Sequence, residues 1–451
     1  MSGKLDDRAP YVALAPGQTS PKAASHIALQ EDTILKDERN RPLQTWQAWM
    51  HLLRGNMGPG LLALPFHFCE VSTWHSITIM ALVGAQGIYG NLMLLRIQAK
   101  VGFSSGKVPQ SLSFEDVGYE VMGRRGRSLV QACVVSYQLG VCMVFMSLIV
   151  TNLQSELPGT SRIFIALIVY LVCLCLALLP DLSALWPLSL LGNLAMFTTL
   201  ASAVVVSFTH ASHGLSEQGI VSRPSKPPVL EGCSGLLAAG FYSFEGICLV
   251  LPVGNALTLE AAATYPRHLF TVLLSLVVIF VSFGYVCSQG FPSMETASIT
   301  AFLSDYYQRG SPMSSYLEVI NWLVSFTVLA TFPLQLTPVV QVLDAAFQTT
   351  SAACTVMIRT ALVTGCVIAV VLVPNLSILM DIVGSACCVS LSSLPYVMHI
   401  WMMTARSPRS RNEFCGACAA LLLIDVVVLL FLALVMVVGI RNSAIEVLKH
   451  G

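Results

Sequence analysis

The residues best placed to do chemistry in this chain fall in two short runs. The first is His51-Leu52-Leu53-Arg54-Gly55-Asn56-Met57-Gly58-Pro59-Gly60; the second is Gly240-Phe241-Tyr242-Ser243-Phe244-Glu245-Gly246, followed by Leu251-Pro252-Val253-Gly254-Asn255. Each sets ionisable side chains, His51 and Arg54 in one and Glu245 in the other, beside residues that stop an α-helix. In hydrocarbon every backbone N–H and C=O so released costs several kcal/mol unless it faces a polar cavity. Half-helix ends of this kind hold charged solutes and ions, so both runs read as binding sites. Histidine titrates near neutral pH, and His51 can load a proton on an acidic side and release it on a neutral one. One structural hydrogen bond at the end of a helix is the plainer account of the same residue. Arg54 needs an acidic partner, and Glu245, at the other break, is the candidate. Proton exchange at Glu245 then gates closure; the alternative is a permanent Arg54–Glu245 latch that never titrates. Taken alone, the second run would be a proline kink with Glu245 held by a neighbour for packing.

The elements that must position these groups are membrane helices. The 451 residues are 55% hydrophobic and 11% charged, against roughly 25% charged in a soluble domain. Apolar windows of the length that crosses a ~30 Å hydrocarbon core fall at about 46–70, 75–98, 128–152, 161–180, 185–210, 233–257, 267–289, 315–344, 355–374, 376–400 and 417–440. The expected fold is all-α and integral to the membrane, with eleven transmembrane helices. Broken helices 1 and 6 take corresponding places in two five-helix halves, residues 46–210 and 233–400, the arrangement of inverted-repeat carriers. The eleventh helix is an addition outside this 5+5 repeat, and no sequence identity links the halves.

Lys and Arg counts set the orientation, because cytoplasmic loops retain positive charge. With the N-terminus inside, 17 basic residues fall on the cytosolic side and 6 opposite, with Arg54 within the first span. Residues 1–44, rich in Ser, Pro and charge, read as a disordered cytosolic tail; 45–400 form the ten-helix core, and 401–451 a cytosolic loop, the eleventh helix and a short non-cytosolic C-terminus. No apolar stretch precedes Trp46, which argues against a signal peptide. Trp46 and Trp49 read as interfacial anchors. The 14 cysteines are mostly scattered singly through apolar segments as small buried hydrophobes. Cys415 and Cys418 form a C-x-x-C pair with no second pair or nearby His to make a zinc site. Asn375-Leu376-Ser377 spells a glycosylation sequon in a loop too short to be modified.

Residues 51–65, His-Leu-Leu-Arg-Gly-Asn-Met-Gly-Pro-Gly-Leu-Leu-Ala-Leu-Pro, resemble the first-helix signature of the proton-coupled amino acid transporters of the amino acid/auxin permease family, within the amino acid-polyamine-cation superfamily. The resemblance continues in Phe114-Glu-Asp-Val-Gly-Tyr119 with Gly123-Arg-Arg-Gly-Arg127, in Gln138-Leu-Gly-Val-Cys-Met-Val-Phe145, in Phe244-Glu-Gly246 with Leu251-Pro252, and in Phe332-Pro-Leu-Gln335. It implies a substrate site between helices 1, 3, 6 and 8, protons as the coupling ion, and a proton role for His51. The residues agree: N–H groups around Gly55, Asn56, Met57, Gly58 and Gly60 suit a carboxylate. Carbonyls near Phe241, Tyr242, Ser243 and Phe244 suit an ammonium. Two departures stand out. The family's Gly-Thr-Gly is Gly58-Pro59-Gly60 here, which loses a hydroxyl and a donor, and Gly254 replaces the acid that commonly precedes Asn255.

The expected function is secondary active transport of small neutral amino acids, in a vacuolar, lysosomal or plasma membrane, with the bilayer and the amino acid as partners. No cofactor, metal or nucleic acid is expected. Sodium coupling is the mechanistic rival and would draw on Thr327, Thr331 and Thr337, although threonines in apolar helices commonly bond their own backbone. Tyr137 and Gln138 are further candidates to face the site. A sensor that binds amino acids without moving them is the second reading. An enzyme is disfavoured by the lack of a recognisable acid, base and nucleophile cluster, and a channel by the matched pair of breaks.

Overall fold

The structure, a computed structural model, describes residues 44–179, 186–213, 227–307, 311–347, 351–404 and 416–450. The expected tail, the 405–415 loop and Cys415 lie outside the described residues, as does the Cys418 side chain. Apart from a 3₁₀ turn at Pro109–Ser111 and a π-helical segment at Val383–Cys388, the regular structure among the described residues is α-helix. In chain order the helices are α1 (Thr45–Asn56), α2 (Pro59–Glu70), α3 (Thr73–Ser105), α4 (Phe114–Glu156), α5 (Arg162–Ala177), α6 (Trp186–His213), α7 (Val229–Ser243), α8 (Ile247–Asn255), α9 (Leu259–Gly290), α10 (Ile299–Tyr306), α11 (Pro312–Phe347), α12 (Ala352–Leu372), α13 (Leu376–Ile382), α14 (Val389–Thr404) and α15 (Gly416–His450). Among the described residues nine helical stretches are long and apolar enough to cross a membrane. The α1–α2 pair, 12 residues on each side of its break, and the 16-residue α5 stand outside that count.

Several elements were not expected from the sequence. A helix, α10, occupies the loop between α9 and α11, started by Ser298, whose hydroxyl accepts the Ala301 N–H. The span from Leu376 to Thr404 passes through the π segment, where Gly384 packs so closely on α7 that a Cβ would stand 2.1 Å from the Ala238 carbonyl oxygen. In α4, Gly123 takes φ +69°, ψ −154° and kinks the helix, a backbone conformation that Gly adopts at no steric cost. The sequon Asn375 caps α13, its side chain accepting the Ser377 N–H at 2.9 Å. No disulfide joins the cysteines whose side chains are described.

Packing places the broken elements at the centre. The α2 segment lies against α7 and α9, α7 also against α3, and α11 against α4 and α6. The last helix, α15, lies on α14, α13 and α7. Its Asp425 is fully buried, accepts the Tyr89 hydroxyl at 3.3 Å and meets His399 Nδ1 at 2.5 Å, so both carboxylate oxygens are engaged.

Candidate functional site

Both expected breaks exist, each a few residues narrower than the sequence suggested. The helical ladder of α1 runs to the Met57 N–H, which bonds the Leu53 carbonyl at 3.0 Å, so Gly55 and Asn56 remain helical. The chain is extended at Gly58 (φ −124°, ψ −167°), and α2 starts with Pro59 at its first position, where the missing N–H is no loss. In the second run Phe241, Tyr242 and Ser243 also remain helical. The ladder ends with the Phe244 N–H on the Gly240 carbonyl at 3.0 Å, and the Gly246 N–H turns back to Phe244 O at 2.9 Å.

The two breaks are packed against each other. A Cβ on Gly60 would stand 2.6 Å from Ser243 Oγ and 2.8 Å from Tyr242 Cδ1; one on Gly246 would stand 2.4 Å from Asn56 Oδ1. A Cβ at either position would force its neighbours to shift, as real Cβ contacts essentially never fall below 3.0 Å. Gly58 is different: nothing lies within 4 Å of where its Cβ would be, because it faces a cavity.

That cavity has a volume of about 320 Å³. Gly55, Asn56, Met57, Gly58 and Gly60 line it from the first break, and Tyr242, Ser243 and Glu245 from the second. The side chains of Phe241 and Phe244 turn away from it: both line a separate small cavity against α3, and Phe244 packs on Phe280 at 4.8 Å. Tyr137 of α4 and Thr327 and Thr331 of α11, candidates from the sequence, line the larger cavity as well, and Val141 of α4 joins them. Gly192 and Met196 bring in a further helix, α6, which residue types alone gave no reason to expect. Gln138 does not line the cavity.

Hydrogen bonding separates the candidates further. Tyr137 Oη donates to the Glu245 main-chain carbonyl at 2.9 Å, so α4 closes one of the backbone acceptors freed by the second break. Glu245 is 6% exposed; its Oε2 accepts the Ser392 hydroxyl of α14 at 2.7 Å, and its Oε1 has no hydrogen-bond partner among the described residues. Asn56 donates from Nδ2 to the Leu52 carbonyl at 2.8 Å while its Oδ1 is buried and unpartnered. Thr327, Thr331 and Thr337 each donate to a carbonyl three or four residues back in their own helix. His51 is exposed at the mouth of the cavity, one turn before Gly55. The backbone of Arg54 is helical, but its side chain is outside the described ones, and the expected Arg54–Glu245 pair with it.

Asn321 of α11 donates to the Asn152 carbonyl at 3.0 Å and to Glu156 Oε1 at 2.7 Å, and Ser298 donates to Asn152 Oδ1 at 2.7 Å, which ties α4, α10 and α11 together.

A chain that crosses the membrane many times and folds two interrupted helices around a solute-sized cavity has the build of a membrane transporter. A family model described as transmembrane amino acid transporter protein matches residues 41–442, and the chain belongs to that family, the amino acid/auxin permeases that residues 51–65 resemble. It is 26% identical over 436 residues to "Amino acid transporter AVT3A" of Arabidopsis thaliana, covering 93% of each chain. To "Vacuolar amino acid transporter 4" of Saccharomyces cerevisiae it is 23% identical over 312 residues, 67% of this chain and 41% of that one. In fold it is similar to a crystal structure of MhsT in complex with L-phenylalanine, with a TM-score of 0.56 at 9% identity, over 88% of this chain and 98% of the other.

Proposed function

We propose that this protein carries small neutral amino acids across a vacuolar membrane, coupled to protons, with eleven spans arranged as two inverted five-helix halves and one added helix. The observation that carries the reading is the single cavity at which both helix breaks meet. At one end the α2 N-terminus and Gly58 present amide hydrogens and positive dipole to a carboxylate. At the other, the end of α7 and the unpartnered Glu245 oxygen present negative charge to an ammonium. The volume lies at the low end of the ~300–1,000 Å³ of small-molecule sites, which suits a small zwitterion. Loss of the family's Thr at Pro59 leaves the carboxylate to the glycine amides.

The charge bias of the loops puts the N-terminus in the cytosol, so a cavity mouth beside His51 faces that side. Release toward the cytosol follows, with His51 and Glu245 as proton carriers and Arg54 as the gating partner. Vacuolar relatives in two yeasts support that membrane. Protons are preferred to sodium on the resemblance of residues 51–65; Thr327 and Thr331 donate their hydroxyl hydrogens to their own helix and keep oxygen lone pairs. Purified protein in liposomes, given a panel of labelled amino acids and an imposed pH gradient, tests the reading: accumulation of small neutral substrates that collapses with the gradient is expected. Accumulation driven by sodium alone would overturn proton coupling, and binding without uptake would leave the sensor.

A further inference from the structure

A second buried ionisable group lies on the other side of the breaks. His67, two turns into α2, is 0% exposed, and neither ring nitrogen has a hydrogen-bond partner among the described residues. Its Nδ1 faces Glu70 Oε2 at 3.4 Å and its Nε2 faces Asp381 Oδ1 at 3.9 Å; that aspartate oxygen is itself buried and unpartnered. Gly235 of α7 keeps the space between them open, since a Cβ there would lie 3.2 Å from His67 Nδ1 and 3.3 Å from Asp381 Oδ2. A cavity of about 30 Å³ adjoins Asp381 and Glu70 and is lined also by Glu231 of α7 and Glu446 of α15, with no Lys or Arg among its described lining residues. That volume admits water.

We propose that His67 and Asp381, with Glu70 beside them, bind the transported proton on the non-cytosolic side. This rests on the proton-coupled reading above. A neutral imidazole has one N–H and turns a lone pair toward one of its two carboxylates; only the imidazolium donates to both. Protonation therefore draws α2 toward α13, and Glu231 and Glu446 add negative charge that favours the same step. The mechanical link to the solute site is direct. Eight residues before His67, about 12 Å along the helix, α2 begins at the first break. On the other partner, the span that carries Asp381 passes through the π segment to Ser392, which holds Glu245 at the second break. One helix thus touches the proton site and the solute site.

The test uses the full-length protein in liposomes, with His67→Ala, Asp381→Asn and Gly235→Ala measured beside the wild type. Two readouts are taken: substrate counterflow at equal pH, which needs no net proton movement, and accumulation under a one-unit pH gradient. At one proton per substrate that gradient sustains about a tenfold concentration ratio. The expected result is a wild-type ratio near this value, falling to about one in His67→Ala and Asp381→Asn while counterflow persists, and reduced in Gly235→Ala. Asp381→Asn keeps the side-chain shape, so the test stands if His67→Ala fails to fold. Full gradient-driven accumulation in Asp381→Asn overturns the inference and leaves proton coupling intact; a wild type indifferent to the gradient overturns both.

Discussion

Gly60→Ala is the sharpest probe of the packing between the two breaks. The new methyl carbon would stand 2.6 Å from Ser243 Oγ, 2.8 Å from Tyr242 Cδ1 and 3.1 Å from the Ser243 Cα. Carbon contacts relax at about 3.5–4.0 Å, so α2 and α7 must separate by roughly 0.5–1 Å at their crossing. Overpacking of this kind costs about 1–3 kcal/mol, and the better helix propensity of Ala returns up to about 1 kcal/mol. A net loss of about 1–2 kcal/mol remains, close to tenfold in an equilibrium constant. Gly58→Ala, two residues earlier, is the control, because the site is open and its backbone is already extended in a region any residue adopts. Thermal unfolding of the detergent-purified proteins and uptake into liposomes are the assays. Gly60→Ala is expected to unfold at a lower temperature and to transport several-fold more slowly. Gly58→Ala should keep wild-type stability and lose affinity only, most for larger amino acids, because its methyl enters the cavity. Equal stability and transport in Gly60→Ala and wild type would refute the reasoning, as would a Gly58→Ala protein equally unstable.

Glu245→Gln is expected to abolish or uncouple uptake while the protein still reaches the membrane; normal pH-dependent uptake would remove Glu245 from the mechanism. For His51→Ala, uptake measured across a pH series should lose its proton-driven component and keep exchange, and an unchanged pH profile would reassign the proton role. Tyr137→Phe removes the donor to the Glu245 carbonyl, a hydrogen bond of about 1 kcal/mol, and should weaken substrate binding several-fold in a direct binding assay without unfolding the protein. Asp425→Ala strips His399 and Tyr89 of their buried acceptor, and breaking a buried pair costs about 3–5 kcal/mol; a marked drop in thermal stability is the expected readout.

The positions of the two breaks were legible because glycine and proline cannot sustain a helix, whatever surrounds them. Their edges were less so: Gly55, Asn56 and residues 241–243 stay helical because the preceding turns still offer them carbonyls, which depends on neighbours in space. The same limit explains Phe241 and Phe244, whose backbone sits at the site while their rings serve the packing against α3 and α9. Threonines on α11 behaved as apolar-helix threonines do, a rule that is local in sequence. By contrast, the approach of α6 to the cavity, the π segment, α10 and the meeting of His67 with Asp381 arise from segments far apart in the chain. His67 in particular stands among Pro65, Phe66 and Phe68 and carries no motif. Only the fold shows that two carboxylates converge on it.

The contact between Asp425 and His399 bears on how the polypeptide is built. The stretch holding Asp425 has a mean hydropathy of 3.3, the highest of the nine long apolar helices, yet it buries a carboxylate that lipid would reject if it stood alone. The receptor for that carboxylate lies 26 residues earlier in the chain, so it is synthesised ahead of the helix that needs it. The polar character of α15 is thus answered by α14, which precedes it in the chain. A chain that ended before α15 would leave His399 and Tyr89 without their anion.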